Sequence, residues 1–284
     1  MYPIDRSGLI EIVESAAVSI AQNFGLPLVY ESKRGRSFAG AAVTAIDRDI
    51  QAKLMELLPG NFMGEEDGGR DDGGEYVWLV DPLDGTGARI RGLPTSTCIV
   101  TLMRRHRSDS GYPVMTVIHN PVTRQTWSAE LDHGAFYKFG DNEEVRCQLN
   151  KEGPAPEKIL STITLWPGED FRFDEVKRAV ETSGDFDNQD FGGLGAAHAS
   201  VVTGTTHLSA CRASAAFETA AATLLMKEAG GIAWNLEGGN LAHIGFPIEM
   251  VRGKKTFSLP KGAIIASNRS VALKFLKIIL DMNQ

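Results

Sequence analysis

Two acidic clusters contain the residues of this 284-residue chain that are best suited to chemistry. The first holds Glu65 and Glu66, and the second holds Asp81 and Asp84 directly after the apolar run 76–80. Carboxylates gathered this closely repel one another, so a fold that brings them together usually binds divalent cations that offset their charge. Oxygen ligands of this kind suit Mg²⁺. The pattern therefore indicates metal-assisted hydrolysis of a phosphate ester.

The turn after Asp81 also has the groups needed to bind an anion. Pro82 fixes a bend that returns Asp84 to the side of Asp81, and Gly85 leaves backbone N–H groups free to face a phosphate. If a helix begins near Gly85 and Thr86, its dipole adds to this effect, and the Thr86 hydroxyl is available to orient a water. A simple solvated turn has the same composition. The upstream glutamates and the apolar strand between the clusters favour the metal site.

Four elements in a fixed order support this interpretation. They read Val-Thr-Ala-Ile-Asp at 43–47, Gly-Glu-Glu at 64–66, Trp-Leu-Val-Asp-Pro-Leu-Asp-Gly-Thr at 78–86, and Phe-Glu-Thr-Ala-Ala at 217–221 followed by Glu-Ala-Gly-Gly at 228–231. Together they resemble the signature of the inositol monophosphatase family. That family belongs to the lithium-sensitive, Mg²⁺-dependent phosphatase superfamily, with fructose-1,6-bisphosphatases and bisphosphate nucleotidases. The resemblance covers essentially the whole chain.

The resemblance implies a set of ligands for two Mg²⁺ ions, with room for a weaker third. The first ion would be held by Glu65, Asp81 and the carbonyl of Leu83. The second would be held by Asp81, Asp84 and Glu218. The family usually has Asp at the last of these positions, so Glu218 supplies a hard oxygen donor on a longer side chain.

The same resemblance implies the catalytic and phosphate-binding groups. Thr86 and Asp47 would orient and deprotonate the attacking water, and Glu66 would support that water or the third cation. The phosphate would lie against Asp84 and the backbone N–H groups of Gly85 and Thr86. The reaction implied is in-line attack by a metal-activated water, without a phosphoenzyme.

Departures from the family pattern bear on the substrate. Arg89 and Arg91 follow the glycine turn where inositol phosphatases usually read Thr-Asn-Phe, and Cys211 with Arg212 replaces a glutamate that binds inositol hydroxyls. Guanidinium groups pair with phosphate or carboxylate, so we expect these residues to bind a second anionic group of the substrate. Solvated arginines and a simply packed cysteine are the alternatives. Inositol 1-phosphate is therefore not assigned as the substrate.

Composition limits the remaining function classes. A formal net charge of −7 and a pI near 5.4 argue against a nucleic-acid polymer as partner, and the basic stretch 104–107 is expected to be a solvated hairpin tip. No apolar stretch is long enough to span a membrane. Three cysteines without metal-binding spacing are typical of a reducing compartment, so a cytoplasmic location is expected. The turn Gly193-Leu194-Gly195 lacks the last glycine of a dinucleotide-binding motif.

Two functions of different classes follow. The favoured one is a Mg²⁺-dependent phosphatase acting on a small inositol-, sugar-, cyclitol- or nucleotide-type phosphate, and the resemblance implies a homodimer. The alternative is a family member without hydrolytic activity that acts as a binding or regulatory protein, which the glutamate at position 218 and the altered loop after Thr86 suggest. A bisphosphate nucleotidase is a further enzymatic alternative.

Hydrophobic periodicity predicts the elements that must position these residues. Helices are predicted over 4–23 and 47–58, paired on one face of a sheet, and antiparallel strands over 97–103, 114–119, 125–130 and 135–139. A strand over 158–164 and helices over 173–183, 195–204, 214–229 and after 268 follow. The fold expected is an αβαβα layered sandwich with mixed α+β and α/β character. It has an N-terminal half, 1–148, that carries most metal ligands and a C-terminal half, 149–284, that supplies Glu218 and the substrate pocket.

Overall fold

A computed structural model describes the chain at residues 2–26, 30–32, 42–66, 69–107, 109–164, 173–211, 214–248, 250–251, 254–255, 258–259 and 262–282. The helices are α1 (Arg6–Gln22), α2 (Ala45–Leu57), α3 (Thr86–Ile90), α4 (Phe173–Ser183), α5 (Leu194–Val202), α6 (Ala216–Ala229) and α7 (Arg269–Asp281). The first ten strands are β1 (Tyr30–Ser32), β2 (Ala42–Thr44), β3 (Asn61–Gly64), β4 (Gly69–Arg70), β5 (Tyr76–Asp84), β6 (Thr97–Arg107), β7 (Ser110–Asn120), β8 (Gln125–Glu130), β9 (Gly134–Phe139) and β10 (Val145–Cys147). The other ten are β11 (Ile159–Thr164), β12 (Phe186–Asn188), β13 (Leu208–Cys211), β14 (Ser214–Ala215), β15 (Ile232–Trp234), β16 (Phe246–Pro247), β17 (Met250–Val251), β18 (Lys254–Lys255), β19 (Ser258–Leu259) and β20 (Ala263–Ala266).

Two sheets form the framework. The larger has the order β10-β9-β8-β7-β6-β5-β3-β4, with β16 added to β7. Its strands pair antiparallel except for β3 and β5, which run parallel. The smaller sheet has the order β12-β11-β13-β20-β15, in which β11 is parallel to both of its neighbours. The parallel pair matters most, because it brings the carboxyl ends of β3 and β5 to one edge.

Alternation along β5 connects the large sheet to cores on its two faces. Val77 and Leu79 pack against α6, whereas Trp78 and Val80 pack against α1 and α2 on the opposite face. This is the two-residue period of a strand that is buried on both sides, and it explains why the run 76–80 is continuously apolar.

Helix α6 lies between the two sheets. Its neighbours in one core include Leu79 of the large sheet and Ile265 of the small sheet. Of its residues, Lys227 and Glu228 are not buried, and the others are mostly alanine or small and apolar side chains. A helix enclosed on both sides must be apolar all round. Helices α4 and α7 cover the outer face of the small sheet, so the predicted αβαβα layering is confirmed.

Most predicted elements are present with ends shifted by a few residues. Helix α6 starts at Ala216 because 214–215 pair with β19. The β6–β7 hairpin is longer than predicted and continues through the basic stretch 104–107. The expectation that this whole stretch is solvated is wrong at Arg105, whose side chain is 10% exposed, pairs with Asp71 and donates to the carbonyl of Gly74.

The predicted boundary between residues 148 and 149 stays a prediction. Leu149 packs beside the core around α6, and its N–H donates to the carbonyl of Ala229 at 2.7 Å. The two halves therefore share one hydrophobic core. In the described part of the chain, no helix has the length and apolar character needed to cross a bilayer.

Because both sheets bury α6, we expect Leu225→Ala to lower the free energy of unfolding by about 2–5 kcal/mol while unfolding remains one transition. Urea denaturation followed by far-UV circular dichroism and tryptophan fluorescence measures both quantities. Leu273→Ala on α7, where the side chain is 48% exposed, is the control and should change stability by less than about 0.5 kcal/mol. Separate transitions for the two probes would contradict a shared core.

Candidate functional site

An irregularity in strand β5 brings two of the predicted metal ligands together. Asp81 pairs with Ile99 and Asp84 pairs with Thr97, so three steps on β5 match two steps on β6. In a regular strand, residues three apart point to opposite faces, but an extra residue returns the second side chain to the face of the first. Pro82 lies inside this irregularity, where its missing N–H does not break the ladder.

Glu218 reaches the same place from the C-terminal half. It lies in the first turn of α6, and its carboxylate, with those of Asp81 and Asp84, forms a group whose ligand oxygens are all within 4.8 Å of one another. The three residues are 8%, 2% and 6% exposed. The structure thus brings together the three acids that the resemblance assigns to the second Mg²⁺.

Asp84 is held from both sides by hydrogen-bond donors. Its carboxylate accepts from the N–H of Gly195 at 2.8 Å, the N–H of Leu194 at 3.2 Å and the hydroxyl of Thr97 at 3.2 Å. Burial raises the pKa of Asp84 to about 6, although these three bonds act in the opposite direction and the charge of Glu65 adds to the rise. The carboxylate is fixed in position while its negative charge is poorly solvated.

Gly195 is required for this contact. A Cβ at this position would lie 2.4 Å from Oγ1 of Thr97 and 2.6 Å from Cδ1 of Ile99, and such contacts would force the strand away from the start of α5. The glycine-rich turn that lacks a complete dinucleotide motif therefore has another use, which is to let α5 begin against Asp84. Sequence reasoning did not connect Thr97, Leu194 or Gly195 to the site, because the partners lie more than ninety positions apart for α5.

Thr86 and Asp47 are in contact, as their predicted joint role requires. The Thr86 hydroxyl lies 3.2 Å from Oδ1 of Asp47 and 2.9 Å from the carbonyl oxygen of Leu83. Oδ2 of Asp47 accepts from the N–H of Thr44 at 2.7 Å and from its hydroxyl, which forms the cap of α2. Burial raises the pKa of Asp47, against the effect of the bonds from Thr44.

The two glutamates after β3 lie at the edge where β3 and β5 end together. The N–H of Glu65 donates to the carbonyl of Val80 at 2.8 Å, which places Glu65 beside Asp81. Glu66 is 8% exposed, and its N–H donates to Oε1 of Gln51. The charge of Glu65 adds to the rise in pKa of both Asp47 and Asp84.

The predicted substrate-binding residues occupy different environments. Gly85 has φ of 76° and precedes α3, a conformation that favours glycine. Arg89 is 2% exposed, lies over the ring of Phe24 and donates to the carbonyl of Asn23 at the end of α1, so its guanidinium holds two elements together. Arg91 is exposed. A substrate contact by either arginine stays a prediction, and the packing of Arg89 weighs against it.

The position where the resemblance expects a hydroxyl-binding glutamate is closed. Cys211 is fully buried, and its Sγ lies 3.9 Å from Nε2 of His198. Nδ1 of that imidazole is 2.8 Å from the hydroxyl of Ser209. Burial lowers the pKa of His198 to about 4, so the ring is neutral at pH 7. Arg212 lies outside the described residues.

The donor set fits a hard divalent cation. Three buried carboxylates that cannot all be solvated, with further acidic and carbonyl oxygens beside them, favour Mg²⁺ over softer metals. Asp81, Asp84 and Glu218 would hold one ion. Glu65 and the carbonyl of Leu83 would complete a second site with Asp81, and this second ion and any third stay predictions.

Comparison with known proteins agrees with this geometry. The sequence profile of the inositol monophosphatase family matches residues 6–281. An inositol-1-monophosphatase of Rhizobium meliloti is 28% identical over 279 residues, 95% of this chain and 94% of that protein. A histidinol-phosphatase of Mycobacterium tuberculosis is 28% identical over 203 residues, 68% of this chain and 72% of that one. The Nus factor SuhB of Haemophilus influenzae is 24% identical over 222 residues, 70% of this chain and 73% of that protein.

Solved structures confirm the predicted fold type. The IMPase of Thermotoga maritima superposes with a TM-score of 0.75 at 21% identity, covering 98% of this chain and 97% of that chain. An IMPase/NADP phosphatase complexed with Mg²⁺ and phosphate superposes with a TM-score of 0.68 at 16% identity, covering 96% and 92%. At such identities the likeness shows the fold alone.

The buried imidazole of His198 predicts a loss of stability in acid. The unfolded chain binds a proton on this ring as the pH falls below 6.5, whereas the folded protein binds it only near pH 4, so stability present above pH 6.5 is lost as the pH falls between these values. This amounts to about 2 kcal/mol at pH 5. We expect His198→Gln to flatten the dependence of unfolding free energy on pH by that amount. In chemical denaturation at pH 7 and pH 5, the exposed-site control His243→Gln should keep the slope of the parent protein, and an unchanged slope in His198→Gln would contradict the assignment.

The crowding of carboxylates predicts that removing one of them raises the stability of the metal-free protein and weakens metal binding. Without metal, Glu218→Gln should raise the melting temperature by a few degrees, because it removes one of three like charges within 4.8 Å. Saturating Mg²⁺ should stabilise the parent protein by about 3 kcal/mol at a hundred times Kd, and the variant much less. Differential scanning calorimetry with Mg²⁺ or EDTA measures both effects. Glu181→Gln on the exposed face of α4 is the control, and an equal Mg²⁺ response in Glu218→Gln would exclude this ligand.

Proposed function

The chain belongs to the inositol monophosphatase family, and on that premise we propose that it is a Mg²⁺-dependent phosphatase that hydrolyses the phosphate monoester of a small metabolite. One observation carries the proposal: the buried group Asp81, Asp84 and Glu218 lies beside the hydrogen-bonded pair Thr86 and Asp47. Folding does not by itself require these five groups in one place, because buried carboxylates at this separation destabilise an apo protein. The catalytic and ligand roles of the individual residues are part of the proposal.

Thr86 and Asp47 supply a path for the proton of the attacking water. The Thr86 hydroxyl has two possible acceptors, the carbonyl of Leu83 at 2.9 Å and Oδ1 of Asp47 at 3.2 Å. In the proposed reaction it donates to Asp47 while its oxygen accepts a hydrogen bond from water. When the water attacks phosphorus, its proton passes to the Thr86 oxygen, and the threonine proton passes to Asp47. The bonds from Thr44 hold Asp47 in position for this role.

Two Mg²⁺ ions, one held by Asp81, Asp84 and Glu218 and the other by Glu65, Asp81 and the carbonyl of Leu83, would divide two tasks. One would lower the pKa of the water, and the other would stabilise the negative charge that develops on the departing oxygen. Gly85 and Thr86 would present backbone N–H groups to the phosphate. Because Gly85 adopts a left-handed conformation and packs against Gly193, a side chain at position 85 would disturb this turn. Glu66, which is buried beside α2, would support the water or a third ion.

The substrate is proposed as an inositol-, sugar-, cyclitol- or nucleotide-type phosphate, which includes the bisphosphates that nucleotidases cleave. Two relatives are named as an inositol phosphatase and a histidinol phosphatase, and the family therefore spans alcohols of different character. At the position of the hydroxyl-binding glutamate, the buried Cys211 offers no exposed acceptor. This weighs against inositol itself. A homodimer and a cytoplasmic location are retained as expectations.

A regulatory role is the second candidate function. The relative from Haemophilus influenzae is named Nus factor SuhB, a name that states no phosphatase activity. The contact between Thr86 and Asp47 favours hydrolysis, because a protein that only binds a partner gains nothing from a water-orienting pair beside three buried acids.

Phosphate release across a panel of inositol, sugar, aminocyclitol, histidinol and nucleotide phosphates tests the proposal. We expect release with Mg²⁺, none above background with EDTA, and a loss of at least about 100-fold in kcat/KM for Asp84→Asn, because that change removes a metal ligand and a fixed charge. Asp281→Asn, an exposed change at the end of α7, should keep full activity.

Folding of each variant is checked by circular dichroism. Release that persists in EDTA, or a folded Asp84→Asn variant with most of its turnover, would contradict the metal assignment. If Mg²⁺ stabilises the protein but no compound of the panel releases phosphate, the result would favour the regulatory role.

A further inference from the structure

A cavity lies between the β6–β7 hairpin and the C-terminal half of α6. Its volume is about 430 Å³, and its lining includes Arg104 and Tyr112 of the hairpin with Thr223, Leu224 and Lys227 of the helix. This size is within the range of small-molecule binding sites, about 300–1,000 Å³. None of the residues proposed for hydrolysis lines it.

The cavity is remote from the acidic group. On β6, Thr97 is paired with Asp84, whereas Arg104 is paired with Tyr76 at the other end of the strand. Thr97 and Arg104 are separated by seven positions, or about 23 Å of extended strand. The cavity is therefore a separate site and not an extension of the proposed active site.

Three permanent cations meet at this cavity in a protein whose formal net charge is −7. Arg104 pairs with Glu75 at 3.0 Å, and Arg105 pairs with Asp71, so each of these charges is partly offset. Lys227 has no carboxylate partner within 4.0 Å among the residues that the structure describes. The described residues that line the cavity thus include basic side chains and no carboxylate, and Lys227 is the cation among them that is least offset by an ion pair.

The neighbouring carboxylate, that of Glu228, keeps its charge but makes no ion pair within 4.0 Å with Lys227 among the described residues. Both oxygens of Glu228 are occupied by backbone donors of the β8–β9 turn, the N–H of Asp132 at 3.0 Å and the N–H of Gly134 at 2.9 Å. These bonds hold Glu228 against the large sheet. Lys227, at the preceding position, is exposed and lines the cavity.

Thr223 places a polar group in the wall of the same cavity. Its side chain is 1% exposed, and its hydroxyl has no hydrogen-bond partner among the described residues. A buried hydroxyl without a partner destabilises a fold, so a ligand atom that bonds to it would gain affinity from satisfying it. Thr223 lies one helical turn before Lys227, and both side chains therefore lie on one side of α6.

We propose that this cavity is a second binding site for a small organic anion, with a phosphate or carboxylate head group at Lys227 and Thr223 and an apolar body beyond it. Val114 and Leu224 provide apolar wall for that body, and Tyr112 adds an aromatic edge that lies 5.5 Å from the ring of His106. Positive charge beside apolar wall selects for an anion that also has carbon surface, in preference to inorganic phosphate.

Titration of the full-length protein with anilinonaphthalene sulfonate, followed by its fluorescence, tests the site. This probe is an organic anion with a planar apolar body. EDTA is present, so that no metal at the acidic group attracts the probe. We expect saturable binding by the parent protein and binding at least about fivefold weaker for Lys227→Gln. Lys277→Gln, the same change at an exposed position of α7, is the matched control and should bind as the parent does.

Thr223→Val separates binding from folding. The change keeps the shape and removes the hydroxyl, so we expect probe binding about threefold weaker with a melting temperature equal to or above that of the parent. Equal binding by the parent, Lys227→Gln and Thr223→Val would overturn the proposal, as would no saturable binding by the parent.

Competition identifies the head group. Displacement of the probe by phenyl phosphate or by benzoate supports an anion site and tells which group it prefers. Equally strong displacement by the neutral analogue benzyl alcohol would overturn the anionic part of the proposal.

Discussion

Mutual repulsion among the buried carboxylates of Asp81, Asp84 and Glu218 is the constraint on which the rest of the structure depends. Charges this close and this poorly solvated destabilise the fold unless positive charge or oriented dipoles offset them. The raised pKa of Asp84 has the same cause, since the loss of solvation on burial outweighs the three hydrogen bonds that stabilise its negative charge. A site with this charge pattern is suited to a divalent cation. Because such a group destabilises the protein when no cation is bound, it is consistent that the described residues contain one group of this kind.

The N-termini of three helices supply the oriented dipoles that offset this negative charge. Asp47 lies in the first turn of α2, Glu218 lies in the first turn of α6, and the first N–H groups of α5 bond to Asp84. The positive ends of three helices therefore meet the acidic residues, and each contributes favourably to a nearby negative charge. These helices come from both halves of the chain and from both faces of the large sheet. The layered sandwich is thus the device that directs them to one point.

The same layering separates the buried acidic group from the cavity that is lined by basic side chains. Strand β6 and helix α6 each have one end at the acidic group and the other at the cationic cavity near Lys227. An anionic metabolite would therefore meet positive charge far from the metal ligands, while the ligands themselves stay enclosed by the core. Arg89 of α3, which follows the phosphate turn, holds the end of α1 against α3.

Local patterns in the sequence sufficed to predict most helices and strands and the acidic character of the candidate site. The apolar run of β5, helical periodicity in α1 and α4, and the acid-rich turn at 81–86 are patterns within a few neighbouring residues, and all appear in the structure. Gly195, Thr97 and Thr44 were not predicted as supports of the acids, and Arg105 was wrongly expected to be solvated. Those outcomes depend on partners that are distant along the chain or on burial, and local propensity contains no information about either. Only the tertiary structure decides them, because it alone sets which backbone donors and charges each buried side chain meets.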